Sequence, residues 1–294
     1  MRPPDDAAGA PVNSLSVVHA GIVAYDTATR WQKELHARRV RQEIPDVLLL
    51  LEHPHVYTLG RRFMPEHLLL DEAELIKRGI SLHEADRGGS VTYHGPGQLV
   101  GYPIVDLSRP PHPLHPAQGS DHGEPDTIRY LRMLEEALIR SVRSLGVVAG
   151  RREGLTGVWV GTTKLASIGV NVTRGVSKHG FALNVSTDLS YFDGMIPCGI
   201  GDAVMTSLSV LLGRPVAMDD VTGSVTSNVA ALLHRRPRPA TLADIGLSLP
   251  GQVPSDRVPN DRLGIPEGVR QPELQGTGAQ IIPFPRAGQS AAVD

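Results

Sequence analysis

Apolar and polar positions along the 294 residues fall into two periods that take turns. Runs with a period of two, or with unbroken apolar character, occur at Leu15–Tyr25, Val47–Glu52, Val56–Leu59, Ile80–Glu84, Leu99–Leu107, Gly157–Val160, Lys164–Thr173 and His179–Ser186. These read as strands. Runs with the 3.6-residue period at Asp26–Gln42, Asp71–Arg78, Thr127–Leu145, Ser207–Leu212 and Asp219–His234 read as helices. Asp71 and Thr127 stand where N-caps belong, and Gly79 and Gly146 where a glycine closes a helix. No internal repeat is visible. The pattern predicts one α/β domain over residues 15–235, a mixed sheet flanked by helices.

The periods fail in three places. Residues 1–14 are rich in Pro, Ala, Gly and Asp and read as a disordered tail. Residues 109–126, RPPHPLHPAQGSDHGEPD, are too polar and Pro-rich to bury and read as a surface insertion. Its histidines, His112, His115 and His122, lack the spacing that would pair them on a helix face. Residues 236–294 read as a second, largely disordered tail, with one short docked segment near Leu242–Leu249.

Composition narrows the class. The chain is 40% hydrophobic and 20% charged, as a globular protein is, with a formal charge of −2. That charge gives no pull toward nucleic acid, and 4% aromatic residues leave few platforms for stacking bases. No apolar stretch approaches membrane-spanning length, and MRPPDDAAGAPVNS has no signal-peptide core. Partners are therefore expected to be neither nucleic acid nor membrane. One cysteine, Cys198, excludes an internal disulfide and a Cys-based metal site. A reducing, cytoplasmic setting is expected, with no metal and no cofactor.

Chemistry concentrates in two stretches. RGGSVTYHGPGQLVGYP, residues 87–103, packs Gly88, Gly89, Gly95 and Gly97 between Arg87 and His94. Such glycines let backbone approach a bound group. The stretch fits neither a P-loop nor a dinucleotide fingerprint. KLASIGVNVTRGVSKHGFALNVS, residues 164–186, reads as an antiparallel hairpin with a polar turn containing Gly175. If Thr173 pairs with His179, Lys164 lies opposite Asp188. The loop that follows carries Cys198 in MIPCGI, and it can fold back over the hairpin end toward Lys164. A thiol has a reference pKa of about 8.5. An ammonium about 4 Å away at an effective dielectric of about 20 attracts the thiolate by up to ~4 kcal/mol. Less desolvation, that leaves a drop of about one to two pKa units, enough to ionise roughly half the thiol at neutral pH. His94 and His179 are candidate proton carriers.

RGGSVTYHGPGQLVGYP, KLASIG, HGFALN and PCGI, in that order, resemble the lipoyl(octanoyl) transferases, octanoyl-[acyl-carrier-protein]:protein N-octanoyltransferases, over roughly residues 15–235. The resemblance implies a fold like that of biotin- and lipoate-protein ligases. It implies an acyltransferase that moves an octanoyl group from octanoyl-acyl carrier protein to a lysine of a lipoyl domain. The acceptors would be the lipoyl domains of 2-oxoacid dehydrogenase complexes and the glycine cleavage H protein. Cys198 matches the acyl-thioester cysteine and Lys164 the lysine that lowers its pKa. Three segments match substrate-binding positions: Arg87, Gly88, Gly89, Ser90, Val91, Thr92, Tyr93 and His94; Ser167, Ile168 and Gly169; and Gly180, Phe181 and Ala182. Val91 and Tyr93 share one face of their segment, a candidate wall for an acyl slot. Arg61, Arg62, Arg87, Arg151 and Arg152 are candidate contacts for acidic carriers. Three rivals stay open: an ATP-dependent lipoate-protein ligase on the same fold, a non-catalytic carrier-binding module, and a thioesterase.

Overall fold

A computed structural model describes residues 13–108, 125–196 and 204–249. Cys198 and the three histidines of the insertion lie outside the described residues. The chain opens with β1 (Ser14–Ile22), α1 (Tyr25–Val40), β2 (Asp46–Glu52) and β3 (Val56–Leu59). Next come α2 (Glu72–Lys77), β4 (Ser81–Glu84), β5 (Val91–His94), β6 (Gln98–Ile104) and α3 (Thr127–Arg143). Then follow β7 (Gly150–Arg152), β8 (Leu155–Val160), β9 (Thr163–Thr173), β10 (Val176–Asn184), α4 (Leu208–Leu212), α5 (Asp219–Leu232) and β11 (Arg236–Pro239). Among these residues no helix is long and apolar enough to cross a membrane.

The strands form two sheets rather than one. The larger is a mixed sheet of eight strands ordered β11-β1-β2-β6-β10-β9-β8-β7, with β1 parallel to both neighbours and the other pairs antiparallel. The smaller has the order β4-β3-β5. β2 is apolar at consecutive positions, Val47 to Leu51, because it is buried on both faces. One face of the large sheet packs Leu48, Leu50, Leu99, Phe181 and Leu183 against Leu134, Leu138 and Val142 of α3 and Val225 and Val229 of α5. The other packs Leu49, Leu51, Val100 and Ala182 against Ala28, Trp31 and Leu35 of α1. The small sheet holds its own cluster, Tyr57, Val91, Tyr93, Phe192 and Met195 among its members.

Several expected boundaries shift for local reasons. Tyr25 begins α1 instead of ending β1, since its ring is buried among histidines. Asp71 caps α2 as expected, accepting from the Glu74 N–H at 2.9 Å. The α3 cap is Asp126, not Thr127: Asp126 Oδ1 accepts the Arg129 N–H at 2.9 Å, so the helix claims the last residue assigned to the insertion. β11 reads Arg-Pro-Arg-Pro, which looks like loop. It is an edge strand on β1, where a proline's missing N–H costs nothing if it faces outward. Beyond it Ile245 and Leu247 are buried in the α1 core, within the docked segment expected at Leu242–Leu249.

The β9–β10 register differs from the expected one. Thr173 pairs with Val176, across a two-residue turn of Arg174 and Gly175 with φ of 55° and 77°. Both central residues are left-handed, as a type I′ hairpin turn requires. The ladder runs to Leu183 opposite Ala166, which brings Lys164 level with Val185 and not Asp188. The polar residues Ser177 and Lys178, expected in the turn, belong to the strand.

Candidate active site

The two-residue turn places small residues on one face of adjacent strands. Ser167 pairs with Ala182, and Gly169 with Gly180, so two small side chains and two glycines form a patch on the face of the sheet opposite α3. This patch is the floor of a cleft of about 480 Å³, counting its open mouth. Ile168 and Phe181 border the cleft while packing with the α3 core. Its other borders are Arg87, Gly88, Gly89, Val91, Thr92 and His94 from the segment that ends in β5, with Tyr25, Tyr102 and His179.

The fit is tight where the Arg87–Gly88 segment, the roof of the cleft, meets the floor at Gly169. A Cβ on Gly169 would stand 3.0 Å from the Gly88 carbonyl oxygen and 3.3 Å from Arg87 Cδ. The contact is fixed by a backbone bond, Gly88 N–H to the Val170 carbonyl at 3.1 Å. Arg87 is buried and works as an internal clip. Its guanidinium donates to the carbonyls of Ser90 (2.9 Å), Gly88 (3.0 Å) and Thr58 (2.6 Å) and to Thr58 Oγ1 (2.7 Å). It is therefore not an exposed contact for an acidic carrier. Arg151 is occupied by Glu135 and Glu136, and Arg152 lies 4.8 Å over the Trp159 ring. Arg61 and Arg62 are exposed.

Ser90 and Tyr93 do not border the cleft. Ser90 Oγ bonds to buried His67 at 2.7 Å. Tyr93 shares a face with Val91, and that face packs into the small sheet's core against Tyr57 and Phe192. Thr92 and His94, on the alternate face, meet the cleft together with Val91, so of the expected wall of Val91 and Tyr93 only Val91 borders it.

Tyr25, His94 and Tyr102, on the cleft's far wall, are backed by the buried ring of His53. His53 donates from Nδ1 to the Val23 carbonyl (2.6 Å) and accepts at Nε2 from Tyr102 Oη (2.7 Å). Burial lowers its pKa to about 4. His94, 6.2 Å from the Tyr25 ring and parallel to it, bonds through Nδ1 to Gln98 Oε1 at 2.8 Å. Burial, with neighbouring His53, holds it well below the ordinary histidine range. This chain of bonds runs on through Gln98 Nε2 to Asn184 Oδ1 (2.9 Å) and Asn184 Nδ2 to the Thr206 carbonyl (2.9 Å). His179 has a φ of 57° inside β10, and its Nε2 contacts Asp86 Oδ1 at 2.5 Å. The His179 bond, then Lys178, holds the Asp86 carboxyl far below its usual range. Neither Tyr25 nor His53 stands in a quoted motif, and no short-range signal marks them. Among the described residues no three His, Cys, Asp or Glu side chains are grouped to hold a metal.

Lys164 lies farther along β9 and is buried, with Nζ 5.4 Å over the ring of its cross-strand neighbour Trp159. The chain returning after Cys198 docks on its backbone. The Lys164 N–H donates to the Val204 carbonyl at 2.8 Å, and the Thr206 N–H donates to the Lys164 carbonyl at 2.9 Å. On the other flank the Ile196 N–H donates to the His67 carbonyl at 2.9 Å, with Met195 bridged to Leu68.

Residues 24–230, which carry the floor, the roof and Lys164, match the lipoyl protein ligase A/B catalytic domain. The chain belongs to that family. It is 45% identical over 235 residues to an octanoyltransferase of Chloroflexus aurantiacus, covering 79% of this chain and 100% of the relative. It is 46% identical over 229 residues to an octanoyltransferase of Rhodococcus jostii, covering 74% of this chain and 81% of that one. Solved structures share the fold at lower identity. A chain from a structural analysis of a bi-partite lipoate protein ligase and its E2 lipoyl domain from Thermoplasma acidophilum aligns with a TM-score of 0.59 at 19% identity. That match covers 79% of this chain and 89% of the other. A lipoate-protein ligase A bound with ATP aligns at 0.58 and 18%, covering 79% and 90%. The mixed sheet flanked by helices is thus the lipoate-ligase fold expected from the sequence.

Proposed function

We propose that this family member transfers an octanoyl group from a carrier-protein thioester to a lysine amine of a lipoyl domain, through a thioester on Cys198. Its octanoyltransferase relatives make it an acyltransferase of the lipoylation pathway. The observation that carries the covalent route is the docking of Val204 and Thr206 on either side of Lys164. Val204 follows Cys198 by six positions, so the loop bearing the only thiol is tethered to the backbone of the one buried lysine on the floor strands.

In the first step the Cys198 thiolate attacks the donor carbonyl, the carrier sulfur leaves and takes a proton from the Lys164 ammonium, and the acyl group is held as an enzyme thioester. Exchange of one thioester for another needs no ATP. In the second, the neutral acceptor amine attacks, the Cys198 thiolate departs as the amide forms, and Lys164, left neutral by the first step, takes the amine's proton, which restores the ammonium–thiolate pair. Lys164 also stabilises the thiolate in step one. The cleft supplies the acyl site: seven methylene-equivalents at ~0.8 kcal/mol each give about 5 kcal/mol. That preference for eight carbons over two is strong, and over nine it is weak.

Intact mass after incubation with octanoyl carrier protein tests the route. The protein should gain one octanoyl group, and Cys198→Ala should gain none. Lys164→Met should raise the thiol pKa by about one to two units and slow acylation at pH 7 about tenfold. The ligases that share the fold suggest the rival reaction, with free octanoate and ATP. Full ATP-dependent activity in Cys198→Ala would select it over the thioester route.

A further inference from the structure

We propose that Glu135 is a positioning residue for Lys164, acting through Gly157, so that a carboxylate buried behind the sheet sets where the lysine ammonium stands. The inference rests on the role given to Lys164 above.

Glu135 belongs to α3 and its side chain is wholly buried. Such a burial is costly unless the charge is paired and every acceptor used. Here donors converge on it. Arg132 Nη1 reaches Oε1 at 2.9 Å and Oε2 at 2.7 Å, and Arg151 Nε reaches Oε2 at 2.9 Å. The remaining contact is with the backbone: the Gly157 N–H donates to Oε1 at 3.0 Å. Arg151 also spans to Glu136 (2.9 Å) and to the Arg132 carbonyl (3.0 Å), so the carboxylate is fixed from several directions.

Gly157 is the point of transmission. It sits in β8 with a φ of 131°, a conformation that L side chains rarely adopt. A Cβ there would lie 2.7 Å from Lys164 Cε, 3.5 Å from Lys164 Nζ and 2.6 Å from the Ala166 carbonyl oxygen. The lysine chain thus occupies the space a side chain at 157 would fill. The neighbouring β8 residue, Trp159, presents its ring to the same ammonium. Two positions on one strand confine Lys164, and the one without a side chain is held by Glu135. If the N–H were released, Gly157 would relax toward ordinary strand geometry and the lysine would lose its slot. A stability role alone would not require the bond to end on this glycine.

The test is the pH dependence of Cys198 alkylation by iodoacetamide, which reads the thiol pKa without any acyl donor, with circular dichroism and thermal melting as folding controls. Gly157→Ala and Glu135→Ala should move the thiol pKa upward by about one unit, in the direction of Lys164→Met. Glu135→Gln keeps an acceptor for the Gly157 N–H and should restore most of the shift. Arg151→Met, at a half-exposed position, keeps the fold and should give a smaller shift of the same sign. Folded Gly157→Ala and Arg151→Met proteins with an unshifted thiol, beside a shifted Lys164→Met, would overturn the proposal and leave the role of Lys164 standing. An unshifted Lys164→Met would remove that role and the proposal with it.

Discussion

Gly169→Val is expected to leave Cys198 as reactive toward a small alkylating agent as before, and to cut octanoyl transfer on the order of a thousandfold, the rate equivalent of losing most of ~5 kcal/mol of acyl-chain burial. The reason is local. The Gly169 side of β9 faces the cleft, and a Cβ there already stands 3.0 Å from the Gly88 carbonyl. Two further methyl groups must either fill the floor beside Gly180 and Ala182 or lift the Arg87–Gly88 segment off β9, breaking the Gly88 to Val170 bond. Either outcome removes the slot while the thiol, Lys164 and Trp159 stay as they are. The diagnostic is chain length. Acetyl carrier protein buries almost no chain, so its slow reaction should change little, and the wild-type preference for eight carbons over two should collapse. Equal losses with acetyl and octanoyl donors would place the acyl chain somewhere other than this floor.

The hairpin that carries the floor was readable because its information is local and periodic, whereas the floor residues themselves were offered only by the resemblance. Ser167, Gly169, Gly180 and Ala182 lie in two alternating strands joined by a tight turn, and alternation alone puts them on one face. What alternation does not give is the phase, which depends on turn chemistry. Arg174 and Gly175 take left-handed conformations, and that moves the register by three residues from the one expected. The same gap in phase hid the face of β5, where Thr92 and His94 meet the cleft and Tyr93 does not. Arg87 shows a different limit. A charged residue beside glycines looks like a ligand hook, yet its partners are the Thr58 and Ser90 carbonyls of the small sheet. Nothing near Arg87 in the chain announces Thr58. Tyr25 joins the wall, with His53 behind it, only because β1 and β2 are sheet neighbours and the Val23 carbonyl meets the His53 ring. Such contacts are products of topology, and no window of sequence contains both ends.

That wall carries the second large effect. Urea unfolding should show the protein losing about 3 kcal/mol between pH 7 and pH 4 through His53 alone, at ~1.4 kcal/mol per pKa unit. The sign follows from proton binding. The unfolded chain takes up a proton on this imidazole near its model value of 6.5, whereas the folded protein resists until about 4. The folded state therefore has its full stability above the unfolded pKa. It loses stability as pH falls below 6.5, and the loss is complete once the folded pKa is passed. His94, also held well below the ordinary histidine range by burial, adds to the slope in the same direction. Asp86 acts in a different window. Its depressed carboxyl pKa gives stability that is present above the model value of 3.8 and fades only below it, so it cannot account for a loss between pH 6 and pH 4.5. His53→Gln should lower stability at pH 7, since the bonds to Val23 and Tyr102 are disturbed, and flatten the slope between pH 6.5 and 4. An unchanged slope would mean that His53 takes its proton in the folded state. A charge would then be buried directly behind Tyr25, His94 and Tyr102, the rings that border the cleft, a burial that is costly without a partner.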